Sequence, residues 1–404
     1  HYSLLAFRSC GVPKPKYLLI GSTEAYSGKS AAILGVAEQL RKQGVDIAYG
    51  KPIGTCLGKH DSNFADADVR LVAKTLHLRE GCLRPTLLSL DEATIKARLE
   101  GHDQVDYHPL LTQYLSMEEG DLVLLEGAGT LEEGRIFGLS LPQIAEVVNA
   151  SVLLVARFHS MLLVEMLLTA QERLGDRLVG VLLNDVSPDQ LDLINSTVRP
   201  FLEAQGIPIL GVLPRNSLLR SVSVEELVRQ LKADVLCRPD RLDLMVESLT
   251  IGAMNVNAAM KYFQRARNMA VVTGGDRTDI QLAALETSTQ CLILTGYLPP
   301  LPQVLSRAED LEVPILSVDL DTLSTVDVIN HTFGQVRLHE PAKLQCIQQL
   351  MAEHFDIDRL TAARARALVV EPRHARRRRV ASAGAPVSYT HLRAHETKAN
   401  LVCR

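Results

Sequence analysis

The feature that most limits how this 404-residue chain can fold is a recurring pair, a short run apolar at consecutive positions followed by a stretch with helical periodicity. The runs lie at 17–20, 47–51, 122–125, 151–156, 180–184 and 209–212, with Gly, Pro or Asn close to their ends. Strands buried on both faces read this way, whereas a half-exposed strand alternates apolar and polar residues. Helical patterns fall between several of them, at 30–43, 141–148, 162–174 and 190–205. Strand and helix in alternation predict a parallel sheet with crossovers on both faces, and ligands then sit beyond the carboxyl ends of the strands.

A second unit is expected from about residue 221. It carries a helix at 224–231, an apolar run near 242–246, and strands at 269–273, 291–294 and 314–318. Helices are expected from Thr278, at 302–308 and at 322–331. Two α/β units suit a chain of this length.

Charge divides the chain unevenly. Residues 361–404 carry ten Lys+Arg and two Asp+Glu, or +8, so residues 1–360 hold the remaining 33 and 45, or −12. An acidic body lacks the basic face that phosphate-backbone binding needs, which argues against a nucleic-acid partner. No apolar run approaches the ~18–20 residues that span a bilayer, and residues 1–20 do not read as a signal peptide. A cytoplasmic protein without a membrane partner is the expectation. The seven Cys form no C-x-x-C pair and no zinc-type spacing with His, and are read as reduced thiols. Both ends look foreign to the rest. Residues 1–15 show no periodicity. The tail from 361 is rich in Ala and Arg, and 387–404 resembles a one-frame translation of a sequencing-library adapter. The expected domains are therefore 16–220 and 221–360, flanked by a non-native leader (1–15) and a spurious or disordered tail (361–404).

Chemistry concentrates after the first strand, in Gly21-Ser22-Thr23-Glu24-Ala25-Tyr26-Ser27-Gly28-Lys29-Ser30. A small-residue loop between a strand and a helix cradles phosphate: unpaired N–H groups face the anion and Gly28 lets the backbone approach. Lys29 supplies charge, and the Ser30 hydroxyl can coordinate Mg²⁺. The pattern G-x-x-x-x-G-K-[ST] would place Gly where Thr23 stands. Lys51 directly follows the second strand, and Asp68 lies seventeen residues on. Glu126 ends the apolar run at 122–125 and precedes Gly127-Ala128-Gly129. An acid beside so apolar a run is costly without a partner, so Glu126 is a candidate Mg²⁺ ligand, while Asp68 is either a second acidic ligand or an exposed acid at a helix start.

These residues, with Lys51-Pro52-Ile53, Asn184-Asp185-Val186 and Leu213-Pro214, resemble the dethiobiotin synthetase and cobyrinic acid a,c-diamide synthase group of P-loop proteins. The resemblance implies a P-loop NTPase-like parallel-sheet domain that binds ATP and Mg²⁺. Thr23, Gly28, Lys29 and Ser30 would cradle the phosphates, and Lys29 and Lys51 would act on the terminal phosphate or a substrate carboxylate. Ser30, Asp68 and Glu126 would hold the metal, and Asn184 would read the adenine edge. The chain departs from dethiobiotin synthetase after Gly129, where Thr130-Leu131-Glu132-Glu133 replaces a further Gly and an aromatic residue, and at Tyr26, which aligns with that enzyme's loop acid. A diamino-acid substrate is therefore not expected. Nor does a downstream Cys/His constellation support amide transfer from glutamine.

In the second unit, Ile251-Gly252-Ala253-Met254 and Val271-Val272-Thr273-Gly274-Gly275-Asp276-Arg277-Thr278-Asp279 resemble the DRTGG type of ligand-binding domain, a smaller α/β unit. Gly274 and Gly275 follow a strand and open onto a helix that Thr278 could cap. Asp276 and Arg277 would bind a small anionic metabolite or nucleotide, or else pair with each other or across the interface of a homo-oligomer. The order of the two units resembles the amino-terminal portion of long-form phosphotransacetylase, without its acetyl-transferring domain. A nucleotide-responsive regulatory protein is the first functional expectation. An ATP-dependent ligase activating a carboxylate is the second, and phosphate acetyltransferase the third.

Overall fold

The computed structural model describes residues 17–54, 67–117, 119–334 and 341–367. The leader, and the tail beyond residue 367, lie outside the described residues.

Seven strands build the first sheet: β1 (Tyr17–Ser22), β2 (Ile47–Gly50), β3 (Leu83–Arg84), β4 (Leu122–Glu126), β5 (Ser151–Arg157), β6 (Leu178–Val186) and β7 (Ile209–Pro214). Their order is β3-β2-β4-β1-β5-β6-β7, and every pairing is parallel. The consecutive apolar runs are explained by two covered faces. Leu19, Val123 and Leu125 enter one core, while Leu18, Ile20, Leu122 and Leu124 enter the other. Each such Leu or Ile contributes roughly 1.5–3 kcal/mol of burial. Helices α1 (Lys29–Lys42) and α2 (Ala67–Thr75) cover the second face, and α3 (Leu162–Leu174) lies on the first. The helix expected at 190–205 carries a wide π turn at Ile194–Val198.

The second sheet has five strands, β8 (Asp234–Cys237), β9 (Ser248–Ile251), β10 (Met269–Gly274), β11 (Thr289–Thr295) and β12 (Ile315–Ser317), in the order β8-β12-β11-β10-β9. Only β8 runs antiparallel among them. Sequence periodicity did not announce β8 and β9. Both are edge strands with partly exposed residues, so neither has a continuous apolar run. The apolar run near 242–246 instead supplies Met245–Val246, which pairs with Val222–Ser223 in a separate two-stranded sheet. Helices α4 (Thr278–Leu285) and α5 (Thr322–Gly334) lie on this unit.

After α5 the chain returns to the first unit. Helices α6 (Pro341–His354) and α7 (Ile357–Ala367) place Ile347, Met351, Phe355 and Leu360 in the core that covers α1. The contact is close. A Cβ on Gly35 of α1 would stand 2.3 Å from Met351 Cγ, and Gln39 Nε2 donates to the Met351 carbonyl at 2.9 Å. The Asp356 N–H donates to Leu210 O of β7 at 2.8 Å, and Arg359 donates to Glu203 Oε1 and Ile209 O. Residues 341–360 thus complete the first unit's core, although they follow the second unit in sequence, and α7 runs through the point where the foreign tail was expected to start. Both crossings between units are tied together: buried Lys343 of α6 donates to Ser221 O at 2.7 Å. Among the described residues no helix is long and apolar enough to cross a membrane. Among the described residues Cys82, Cys237, Cys291 and Cys346 form no disulfide, and Cys10, Cys56 and Cys403 lie outside them.

Candidate functional site

The phosphate-type loop leaves β1 and enters α1 through two left-handed residues, Tyr26 (φ 56°) and Gly28 (φ 100°). Gly28 is required twice over. An L residue is disfavoured at that φ, and a Cβ there would stand 2.3 Å from Asn184 Nδ2. Asn184, near the end of β6, donates through Nδ2 to Ser27 O at 2.9 Å and so holds the far side of the loop. Thr23 and Ser27 turn their hydroxyls inward, where Thr23 Oγ1 and Ser27 Oγ are buried and meet no hydrogen-bond partner. Unsatisfied buried hydroxyls are uncommon and costly. Here two of them line one loop at a helix amino terminus.

Two lysines converge on it. Lys29 is 9% exposed and donates to Ser22 Oγ at 2.9 Å. Lys51, 3% exposed after β2, pairs with Asp68 Oδ2 of α2 at 2.5 Å. Glu126, 3% exposed at the end of β4, accepts from Ser30 Oγ at 3.2 Å through Oε1 and from Tyr49 OH at 2.7 Å through Oε2. Burial pushes the Lys29 ammonium below the ordinary lysine range; Glu126 opposes that shift, and the Lys51 charge adds to it. Burial likewise pushes the Glu126 carboxyl upward, with Lys51 pulling it down and Asp68 pushing it up. The expected residues Thr23, Gly28, Lys29, Ser30, Lys51, Asp68, Glu126 and Asn184 therefore come to one end of the sheet.

Four participants escaped the sequence reading. Tyr49 is one, although a hydroxyl two residues before Lys51 in an apolar strand was a readable signal. Ser22 is the second: besides accepting from Lys29, its hydroxyl lies 2.7 Å from Gly129 O. Glu133 is the third, and accepts the Gly129 N–H at 2.7 Å through Oε2. The fourth is Asp185, which sits at φ 56° beside Asn184 and pairs with Arg157 at 2.8 Å and Arg215 at 3.1 Å. Burial raises the Asp185 carboxyl, but the Arg157 hydrogen bond and the charges of Arg220, Arg157 and Arg215 hold it below the usual aspartate range.

The glycine turn of the second unit is built differently. Gly275 permits a close approach, since a Cβ would stand 2.2 Å from Leu298 O. Gln281 of α4 is fully buried and donates through Nε2 to Gly274 O at 2.9 Å and Gly275 O at 3.0 Å. Two expectations are corrected. Thr278 is the first residue of α4 rather than its cap, which is Arg277 with no side-chain capping bond. Arg277 does not pair with Asp276. It bonds Asp279, two residues on and next to it in space, and donates to Met254 O at 3.0 Å, which leaves Asp276 exposed.

The family model of an AAA domain matches residues 16–223, half of the chain. The chain belongs to this AAA-domain family. A DRTGG domain follows it, matched over residues 226–332. Phosphate acetyltransferase of Synechocystis sp. is 29% identical over 311 residues, covering 73% of this chain and 44% of that protein. Phosphate acetyltransferase of Nitratidesulfovibrio vulgaris is 26% identical over 363 residues, covering 85% and 51%. The chain therefore spans about half the length of these curated relatives. Among solved structures, the CBS and DRTGG domains of the regulatory region of Clostridium perfringens pyrophosphatase, complexed with diadenosine tetraphosphate, overlap 42% of this chain and 85% of that one, at 16% identity and a TM-score of 0.27.

Proposed function

We propose that the AAA domain binds ATP with Mg²⁺ and that the chain is a nucleotide-responsive regulatory protein, related to the amino-terminal part of phosphate acetyltransferases. The observation that carries this reading is the pair of buried lysines, Lys29 and Lys51, beside the inward hydroxyls of Thr23 and Ser27. Buried positive charge and unsatisfied donors at a helix amino terminus are complementary to a polyphosphate. Lys29 and Lys51 would neutralise charge on the terminal phosphate, the loop N–H groups would hold its oxygens, and Asn184 would face the adenine. The donor set suits Mg²⁺: Ser30, Asp68 and Glu126 offer hard oxygens, and two carboxylates plus phosphate oxygens satisfy that ion. When bound, the metal would offset the negative charge of the phosphates.

Gly274, Gly275, Asp276 and Arg277 of the DRTGG domain are proposed to take a small anionic metabolite or to meet a second copy of the chain, in a cytoplasmic homo-oligomer. Coupling between the domains must be reciprocal, so ATP would change the second ligand's affinity by the factor that the ligand changes ATP's. Calorimetry with ATP·Mg²⁺ tests the reading. Binding that Lys29→Ala abolishes is expected, and no binding, or binding indifferent to that substitution, rejects it.

The similarity to phosphate acetyltransferases favours a second reading, in which the chain takes part in acetyl transfer between coenzyme A and phosphate. Acetyl-phosphate formation by the purified chain would establish it. ADP release stimulated by a single carboxylic acid would point instead to a carboxylate-activating ligase.

A further inference from the structure

In the loop after β4 the backbone N–H of Gly129 donates to the chain's own Glu133 carboxylate at 2.7 Å. Gly129 is pinned from both sides, because its carbonyl lies 2.7 Å from the Ser22 hydroxyl that also accepts from Lys29. A continuous path thus runs from the Lys29 ammonium through Ser22 and Gly129 to Glu133. The carboxylate also acts on Lys29 through its charge. The carboxylate lies directly against the Gly129 backbone, where a Cβ on Gly129 would stand 2.7 Å from Glu133 Oε1. Glu133 is half-buried and is carried by a turn in which the N–H groups of Glu132 and Glu133 both face Thr130 Oγ1. A carboxylate on a backbone N–H next to a buried lysine has the chemistry of a bound oxyanion.

We infer that Glu133 is an internal stand-in for an anionic ligand, an autoinhibitory carboxylate that holds the Gly129 N–H beside Lys29 and gives way when an oxyanion enters. The inference rests on the nucleotide reading for the identity of the oxyanion, taken as the terminal phosphate, while the displacement itself needs only phosphate chemistry. An incoming phosphate gains the Gly129 N–H and the full attraction of Lys29 once Glu133 swings out. Until then it meets a like charge and an occupied donor, which disfavours binding. Glu133 makes this contact as a positioning residue and takes no part in bond making.

Two variants test this in the full chain. Glu133→Gln keeps the shape and the acceptor but removes the charge, and Glu133→Ala frees the donor. Both are titrated with ATP·Mg²⁺ and ADP·Mg²⁺ by calorimetry, and with inorganic phosphate by thermal shift. The expected result is ATP affinity raised about fivefold or more in both variants, with a smaller gain for ADP, and greater stabilisation by inorganic phosphate than in the unsubstituted chain. Unchanged or weakened ATP binding in both variants would show Glu133 to be a loop strut only and would overturn the inference. If the unsubstituted chain binds no nucleotide, the nucleotide reading fails alone, and the phosphate titration still decides: no gain in either variant overturns the stand-in as well. A variant that fails to fold is replaced by Glu133→Asp, whose shorter carboxylate should release the Gly129 N–H and raise phosphate binding in the same direction.

Discussion

The AAA domain and the DRTGG domain each place a glycine-bearing turn between a parallel strand and a helix, yet they satisfy it in opposite ways. Around Gly28 the partners are charged and buried: Lys29, Lys51 and Glu126 sit together under 10% exposure, and two loop hydroxyls have no partner. Around Gly274 the partner is neutral: Gln281 Nε2 donates to the Gly274 and Gly275 carbonyls while its own Oε1 is buried without a partner, and the turn's charges stay at the surface. Burying charge is costly unless something compensates, and shifted titration of Lys29 and Glu126 is the sign of that cost. The first turn gathers buried charge, whereas the second is held by a neutral amide.

The largest effect should come from Lys29→Ala. Loss of a buried charge-assisted contact to phosphate should lower ATP·Mg²⁺ affinity about 100-fold or more, equivalent to ~3 kcal/mol. Calorimetry measures it, and a change below tenfold would erase the contrast between the two turns. Next is Gln281→Leu, which removes the amide donor from the Gly275 carbonyl and leaves the Gly274 carbonyl with the Arg277 N–H alone. Urea unfolding should show a loss of about 2 kcal/mol with ATP affinity unchanged. An unaltered midpoint would mean the second turn does not depend on its internal amide.

Asp185→Asn sharpens the electrostatic side, because Asn tolerates the left-handed backbone at φ 56° and removes only the charge. Near neutral pH the variant should be less stable by about 1–2 kcal/mol. The folded-state carboxyl lies below its ordinary value of 3.8, so its contribution is present above that value and is lost as pH falls through the lower folded one. The gap between the two proteins should therefore close below pH 3.8, in paired denaturation curves. The smallest effect should be Asp276→Ala. An exposed acid outside the turn's hydrogen bonds should move the melting temperature by less than about 2 °C. A larger change in the presence of a small anion would mark Asp276 as a ligand contact.

Much of this was legible in the chain itself. The runs at 17–20 and 122–125 announced strands buried on both faces, and Gly28-Lys29-Ser30 announced an anion site after the first of them. Edge strands β8 and β9 were not legible, because half-exposed strands lack a continuous apolar run. Glu133 was read as a departure from a related loop, not as a ligand to Gly129, since a four-residue separation says nothing about which way a carboxylate turns. Gln281 gave no signal either; a glutamine in a helix reads as surface until its burial is known.

The order of elements, the alternation of strand and helix and the chemistry of the phosphate-type loop were determined by local pattern, because periodicity and turn chemistry act over a few residues. The closing of the first core was decided only in three dimensions. Met351 lies more than three hundred positions from Gly35, yet it fills the space that glycine leaves on α1. Close packing across such a separation depends on shape, and neither residue carries a local signal of the other.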